Sequence, residues 1–84
     1  MKAIFTKSSE KELTKLNLRF QEKILLSIEK FEKGEKIDFQ KLKGRQNEYR
    51  IRVGKYRIIL TKNKDNSYLI TDIGKRENIY LIFL

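Results

Sequence analysis

The chain is 84 residues long, with 20 Lys or Arg against 11 Asp or Glu, a formal charge of +9, and neither cysteine nor histidine. The lack of cysteine rules out a disulfide staple and any thiolate metal site, and the lack of histidine removes both the usual general base and the commonest metal ligand; no metal or other cofactor is expected. One domain covering residues 1–84 is expected, close to the size at which a single core is only just sufficient.

Residues 2–6 read as a short opening strand. They lack the apolar run of a signal peptide, and no segment approaches the roughly 18 apolar residues of a membrane span, so a cytoplasmic chain without membrane contact is expected. Ser9 followed by Glu12 has the spacing of a capping box, which predicts a helix from Ser9 to about Leu16, with Leu13 and Leu16 turned inward. Asn17 breaks it. A second helix is predicted from about Leu18 to Lys33, in which Phe20, Ile24, Leu25, Ile28 and Phe31 form one apolar stripe for the core. Gly34 suits the left-handed position just past a helix end.

Residues 35–47 read as a polar surface connection anchored by Ile37, Phe39 and Leu42, with a turn at Gly44. A hairpin over residues 48–62 follows, then a polar turn at 63–67 and a strand from Tyr68 to Ile73 that Gly74 interrupts. The apolar end, residues 79–84, is most simply packed against the sheet. This order of elements predicts an α+β fold, with an N-terminal strand and a helical hairpin packed on one face of a small, mainly antiparallel sheet.

The hairpin carries the chemistry. In Tyr49-Arg50-Ile51-Arg52-Val53-Gly54-Lys55-Tyr56-Arg57-Ile58, Gly54-Lys55 suits a two-residue type II′ turn. That register pairs Val53 with Tyr56, Ile51 with Ile58 and Tyr49 with Leu60 on one side, and on the other sets Arg52 opposite Arg57 with Arg50 one step along. Like charges facing each other across a ladder are unfavourable, so folding gives no reason for the arrangement and a bound polyanion does. The expectation is that Arg50, Arg52 and Arg57 are displayed to solvent on the face away from the helices. Charge is concentrated around them: over residues 41–57, Lys41, Lys43, Arg45, Arg50, Arg52, Lys55 and Arg57 meet only Glu48. A localised basic stripe of this kind is the footprint of a nucleic-acid binder.

These residues resemble a known family, the RelE-type toxins of bacterial and archaeal toxin–antitoxin modules. The hairpin run is similar to the family's central hairpin, Leu42-Lys43-Gly44 precedes it as a Leu-Lys-Gly commonly does there, and Ile73-Gly74-Lys75-Arg76-Glu77-Asn78-Ile79-Tyr80 resembles the closing Gly-x-Arg segment followed by Tyr. The resemblance implies a RelE-like fold and a small endoribonuclease that cuts mRNA in the ribosomal A site. Such an enzyme uses the RNA's own 2′-hydroxyl, leaves a cyclic phosphate, and is silenced by a cognate antitoxin. It assigns catalytic positions to Arg50, Arg52, Arg57, Arg76 and Tyr80. Arg57 would face the charge developing on phosphate, Arg50 and Arg52 would grip the backbone, Arg76 would stand near the leaving oxygen, and Tyr80 would stack on a base or bond the attacking hydroxyl. Lys41, Lys43, Arg45, Lys55 and Lys75 are assigned to RNA or ribosome binding. The best-known members carry lysines on the first hairpin strand, one of them proposed as the base. Arginine is a poor base at neutral pH, and Lys55 or Tyr80 is the substitute this chain offers.

Two rival readings stay open here. Related toxins of the ParE type inhibit DNA gyrase and are not nucleases, and a toxin homologue without activity would bind RNA and leave it uncut. The plainest alternative for the three hairpin arginines is a solvated strand face.

Overall fold

The computed structural model describes residues 1–75. Seven elements follow in chain order: β1 (Ala3–Phe5), α1 (Lys7–Thr14), α2 (Leu18–Glu32), β2 (Phe39–Lys41), β3 (Glu48–Val53), β4 (Tyr56–Lys62) and β5 (Tyr68–Lys75). The strands form one sheet in the order β1-β5-β4-β3-β2, with β1 parallel to β5 and the other pairs antiparallel. The two helices carry the chain from one edge of that sheet to the other. The predicted α+β architecture therefore holds, while Arg76, Tyr80 and the apolar end expected to pack on the sheet lie outside the described residues.

The start of α1 differs from the sequence expectation by three residues. Thr6 is the cap: its hydroxyl accepts from the Ser9 amide at 3.1 Å, and the Ser9 hydroxyl accepts from the Thr6 amide at 3.0 Å. The reason lies in the sheet, because Thr6 also donates its amide and hydroxyl to the Ile70 carbonyl, both at 3.1 Å. The end of β1 thus fixes where the helix begins. Glu12, expected to complete the cap, accepts instead from the Ile73 amide at 3.3 Å.

Asn17 caps α2 by accepting from the Phe20 amide at 3.2 Å. The helix closes with paired bonds from Gly34 to Phe31 and from Glu35 to Lys30, Gly34 taking φ +75° as expected. Ile24, Ile28 and Phe31 are buried and Phe20 packs beside them, but Leu25 is exposed. A step of about 100° around the helix from Ile24 carries Leu25 off the buried face.

The hairpin has the predicted register throughout, including Ile51 with Ile58, Tyr49 with Leu60 and Arg52 with Arg57. Gly54 sits at φ +57° while Lys55 does not take positive φ, the combination a type II′ turn needs. On β5, Ile70 and Ile73 are three apart and would point to opposite faces of a regular strand. A bulge at Thr71 of β5, opposite the step from Ile59 to Leu60, sets Leu60 against Ile70 and Ile59 against Asp72, and Ile70 and Ile73 both turn to the helices.

One strand went unpredicted. Residues 39–41 of the polar connection form β2, pairing with β3 through Phe39–Ile51, Gln40–Arg50 and Lys41–Tyr49. Phe39 stacks on Tyr49 with ring centroids 5.0 Å apart and meets Phe31 at 4.9 Å, closing the core at this edge with Tyr68. No helix among the described residues is long and apolar enough to cross a membrane.

Candidate nucleic-acid interface

The alternation along β3 and β4 sends Tyr49, Ile51, Val53, Tyr56, Ile58 and Leu60 to the helices and Arg50, Arg52 and Arg57 to the other face. The tight turn at Gly54-Lys55 leaves no slack for a register slip, since a shift of one residue would put every arginine into the core. The three guanidinium groups are brought together as expected, but their exposure is not the uniform display predicted. The Arg52 side chain is 47% exposed and the Arg50 side chain 12%, while Arg57 is only 3% exposed.

Arg57 lies on the central strand, between Arg52 on β3 and Gly74 on β5. Arg50 is covered by β2 and the residue before it, where the sequence predicts a loop. Its Nη1 donates to Asp38 Oδ1 at 2.8 Å and to the Asp38 carbonyl at 3.3 Å, and its Nη2 donates to Gln40 Oε1 at 2.7 Å. The Arg52 amide donates to the same Asp38 carbonyl at 2.9 Å, and Arg52 Nε stands 3.9 Å from Asp38 Oδ2. The hydrogen bond from Arg50 holds the Asp38 carboxyl below the usual carboxylate range, helped by the charges of Arg50, Arg52 and Arg57. A single carboxylate thus lies within the field of all three arginines.

Asp38 and Gln40 are the site residues the sequence reading missed. The only signal was an Asp-x-Gln pair beside a lone Phe39, and it acquires meaning only once residues 39–41 are paired with β3.

The other basic positions fall into separate groups. Lys41, Lys43 and Arg45 line an open groove of about 580 Å³ with Leu42, Gly44 and Gln46, at the end of the sheet away from the hairpin turn. Arg45 also stands 3.5 Å from Glu48. Lys55 turns toward the helices, its ammonium 4.8 Å from the centre of the Phe20 ring and 5.8 Å from that of Tyr56. Lys75 pairs with Tyr56 at the end of β5 and borders a second groove shared with Glu12, Lys15 and Leu16. Burial pushes the Glu12 carboxyl up, against the lowering effect of the Ile73 amide. Among the described residues no group of three His, Cys, Asp or Glu side chains is arranged to hold a metal ion.

A sheet with this order, a helical hairpin on one face and an arginine-bearing central hairpin on the other, is the frame of a small toxin class. Residues 3–80 match the family model described as the ParE toxin of the type II toxin–antitoxin system parDE. The chain is 35% identical to Toxin RelE3 of Methanocaldococcus jannaschii over an alignment of 88 residues that spans 99% of each protein. It superposes on the RelB–RelE antitoxin–toxin complex from Methanococcus jannaschii with a TM-score of 0.80 and 33% identity, covering 96% of this chain and 99% of that one. The archaeal RelE–RelB complex of Pyrococcus horikoshii OT3 matches with a TM-score of 0.72 and 29% identity, over 89% of this chain and 93% of the other. The chain belongs to the RelE/ParE family, the toxins of type II toxin–antitoxin systems.

Proposed function

We propose that this toxin is an endoribonuclease that cuts mRNA on the translating ribosome, works in the cytoplasm and is neutralised by a small antitoxin protein. The observation that carries the reading is the Arg52–Arg57 opposition, a like-charge pair one step from the turn of the central hairpin, with Asp38 standing 3.9 Å from Arg52. A cleaved phosphodiester develops negative charge on its non-bridging oxygens, and preorganised positive charge aimed there is usually the largest catalytic contribution. In the step proposed, the RNA 2′-oxygen bonds to phosphorus as the bond to the 5′-oxygen breaks. The hydroxyl proton passes to solvent and the departing oxygen takes one from it. Arg52 supplies the exposed guanidinium for the phosphate. Arg57 supplies a buried charge, whose field is stronger than that of an exposed one.

Lys55, turned toward Phe20, is poorly oriented to act as a base on the arginine face. The reading therefore rests on charge and on alignment of the RNA by the ribosome. Lys41, Lys43 and Arg45 would track the nucleic-acid backbone from their separate groove, and Arg76 and Tyr80 keep the leaving-group and stacking roles that the family resemblance implies. The antitoxin is proposed because relatives of this chain have been solved as RelB–RelE complexes. Expression without it should arrest growth, and folded Arg57→Ala should relieve the arrest; full arrest by that variant would count heavily against the reading.

The family model is described by the ParE toxin, which keeps gyrase inhibition as the second reading. Loss of gyrase supercoiling in the presence of the purified protein, with mRNA left intact, would favour it.

A further inference from the structure

The three hairpin arginines differ in what already occupies them. Arg50 has both terminal nitrogens engaged by β2 and the residue before it, through the Asp38 carboxylate and carbonyl and the Gln40 amide oxygen, and its side chain is 12% exposed. Arg52 meets Asp38 only across 3.9 Å and is about half exposed. A guanidinium presents its donors in a fixed fork, so one whose fork is filled by a carboxylate and an amide has little left for a phosphate.

We propose that Asp38, with Gln40, is a positioning residue that makes Arg50 a structural brace between β2 and β3 and leaves Arg52 as the guanidinium that contacts the RNA phosphate. The backbone supports this division. Asp38 accepts the Arg52 amide at 2.9 Å with its carbonyl while its side chain holds Arg50, so one residue fixes the height of both arginines along β3. Its carboxylate also offsets part of the charge that Arg52 and Arg57 set opposite each other across the ladder. The consequence for function is a trade of opposite signs. Asp38 repels RNA slightly, and it keeps the arginines where the reaction needs them. This rests on the nuclease reading only for its effect on cleavage; the division of labour between Arg50 and Arg52 stands apart from it.

The test has two arms on the full-length protein. In the first, Asp38→Asn and Arg50→Lys are compared with wild type for affinity to an unstructured oligoribonucleotide and for single-turnover cleavage on translating ribosomes. Removing the carboxylate should tighten RNA binding by about fivefold at low salt while slowing cleavage by at least about tenfold, as misplacement of a phosphate ligand does. Arg50→Lys, which keeps the charge and loses the fork, should bind RNA as wild type does and cleave as slowly as Asp38→Asn. Wild-type cleavage by both variants, or binding and cleavage falling together with the melting temperature, would overturn the proposal. In the second arm, nitrogen-15 spectra of the arginine side chains are followed as the same oligoribonucleotide is added. Resonances of Arg52 should shift while those of Arg50 stay fixed, and in Asp38→Asn Arg50 should become responsive. Equal responses of Arg50 and Arg52 in the wild type would overturn it. Should wild type fail to cleave at all, the nuclease reading falls and this second arm still decides the role of Asp38.

Discussion

Arg52 and Arg57 face each other directly across the β3–β4 ladder, and the carboxylate that eases their opposition, Asp38, comes from the bend just before β2. The pair is a local cost retained within a hairpin whose other cross-strand partners are mostly apolar. Replacing Arg52 by Thr, a good strand former, should leave stability unchanged or raise it by about 0.2–1 kcal/mol. The same change should weaken RNA binding and lower the salt slope by about 0.7 for the one lost phosphate contact on a single strand. Thermal melts and salt-dependent anisotropy on the same samples check both halves.

The pH dependence of stability should carry two opposite contributions. Asp38 has a folded pKa below its ordinary value of 3.8, held there first by the hydrogen bond from Arg50. Its contribution is therefore complete above that ordinary value and lost as the pH falls through the lower folded one. Glu12 is shifted the other way, raised above 4.5 by burial. Its ionised form is a liability above the folded pKa, and the liability disappears as the pH falls below the ordinary value. Glu12→Gln, which keeps an oxygen for the Ile73 amide, should be more stable than wild type at neutral pH and lose that advantage in acid. Denaturant titrations across pH 3–7 would show whether the two variants, Asp38→Asn and Glu12→Gln, deviate from wild type in opposite directions.

Gly54 stands at φ +57° with open space where a Cβ would lie, so a side chain there costs strain and not collision. Gly54→Ala should destabilise by about 1 kcal/mol, a fall of about 4–8 °C in melting temperature for a domain of this size. The loss should appear in RNA affinity as well, because the turn sets the register of the arginines.

Neighbouring positions on α2 separate the buried face from the exposed one. Ile24 is fully buried and Leu25 is 46% exposed. Ile24→Ala should cost about 2–5 kcal/mol, and Leu25→Ala should stay within about 0.5 kcal/mol. Equal losses at the two positions would mean that α2 is rotated from the orientation described.

The parts of the fold that were legible in the sequence are those where local pattern and tertiary structure agree. The hairpin register followed from one glycine and strict alternation, and α2 followed from Asn17, its apolar spacing and Gly34. The failures came where a distant partner decided the outcome. Ser9 and Glu12 have the spacing of a capping box, yet the cap is Thr6, which Ile70 on β5 holds in place. The strand at residues 39–41 has one apolar residue and no alternation to detect, yet Phe39 fits between Phe31 and Tyr49. Missing that strand hid Asp38, and hiding Asp38 made three arginines look alike. Their positions along the chain were readable, whereas the covering of Arg50 depends on residues 38–40 beside the hairpin.

The most direct test of the central claim is primer extension on an mRNA incubated with the purified protein, with and without translating ribosomes. Cuts at codon positions that appear only with ribosomes, and fade with folded Arg52→Thr, are the predicted result. An uncut message in both tubes, from protein shown to be folded, would contradict the assignment of this arginine face to mRNA cleavage.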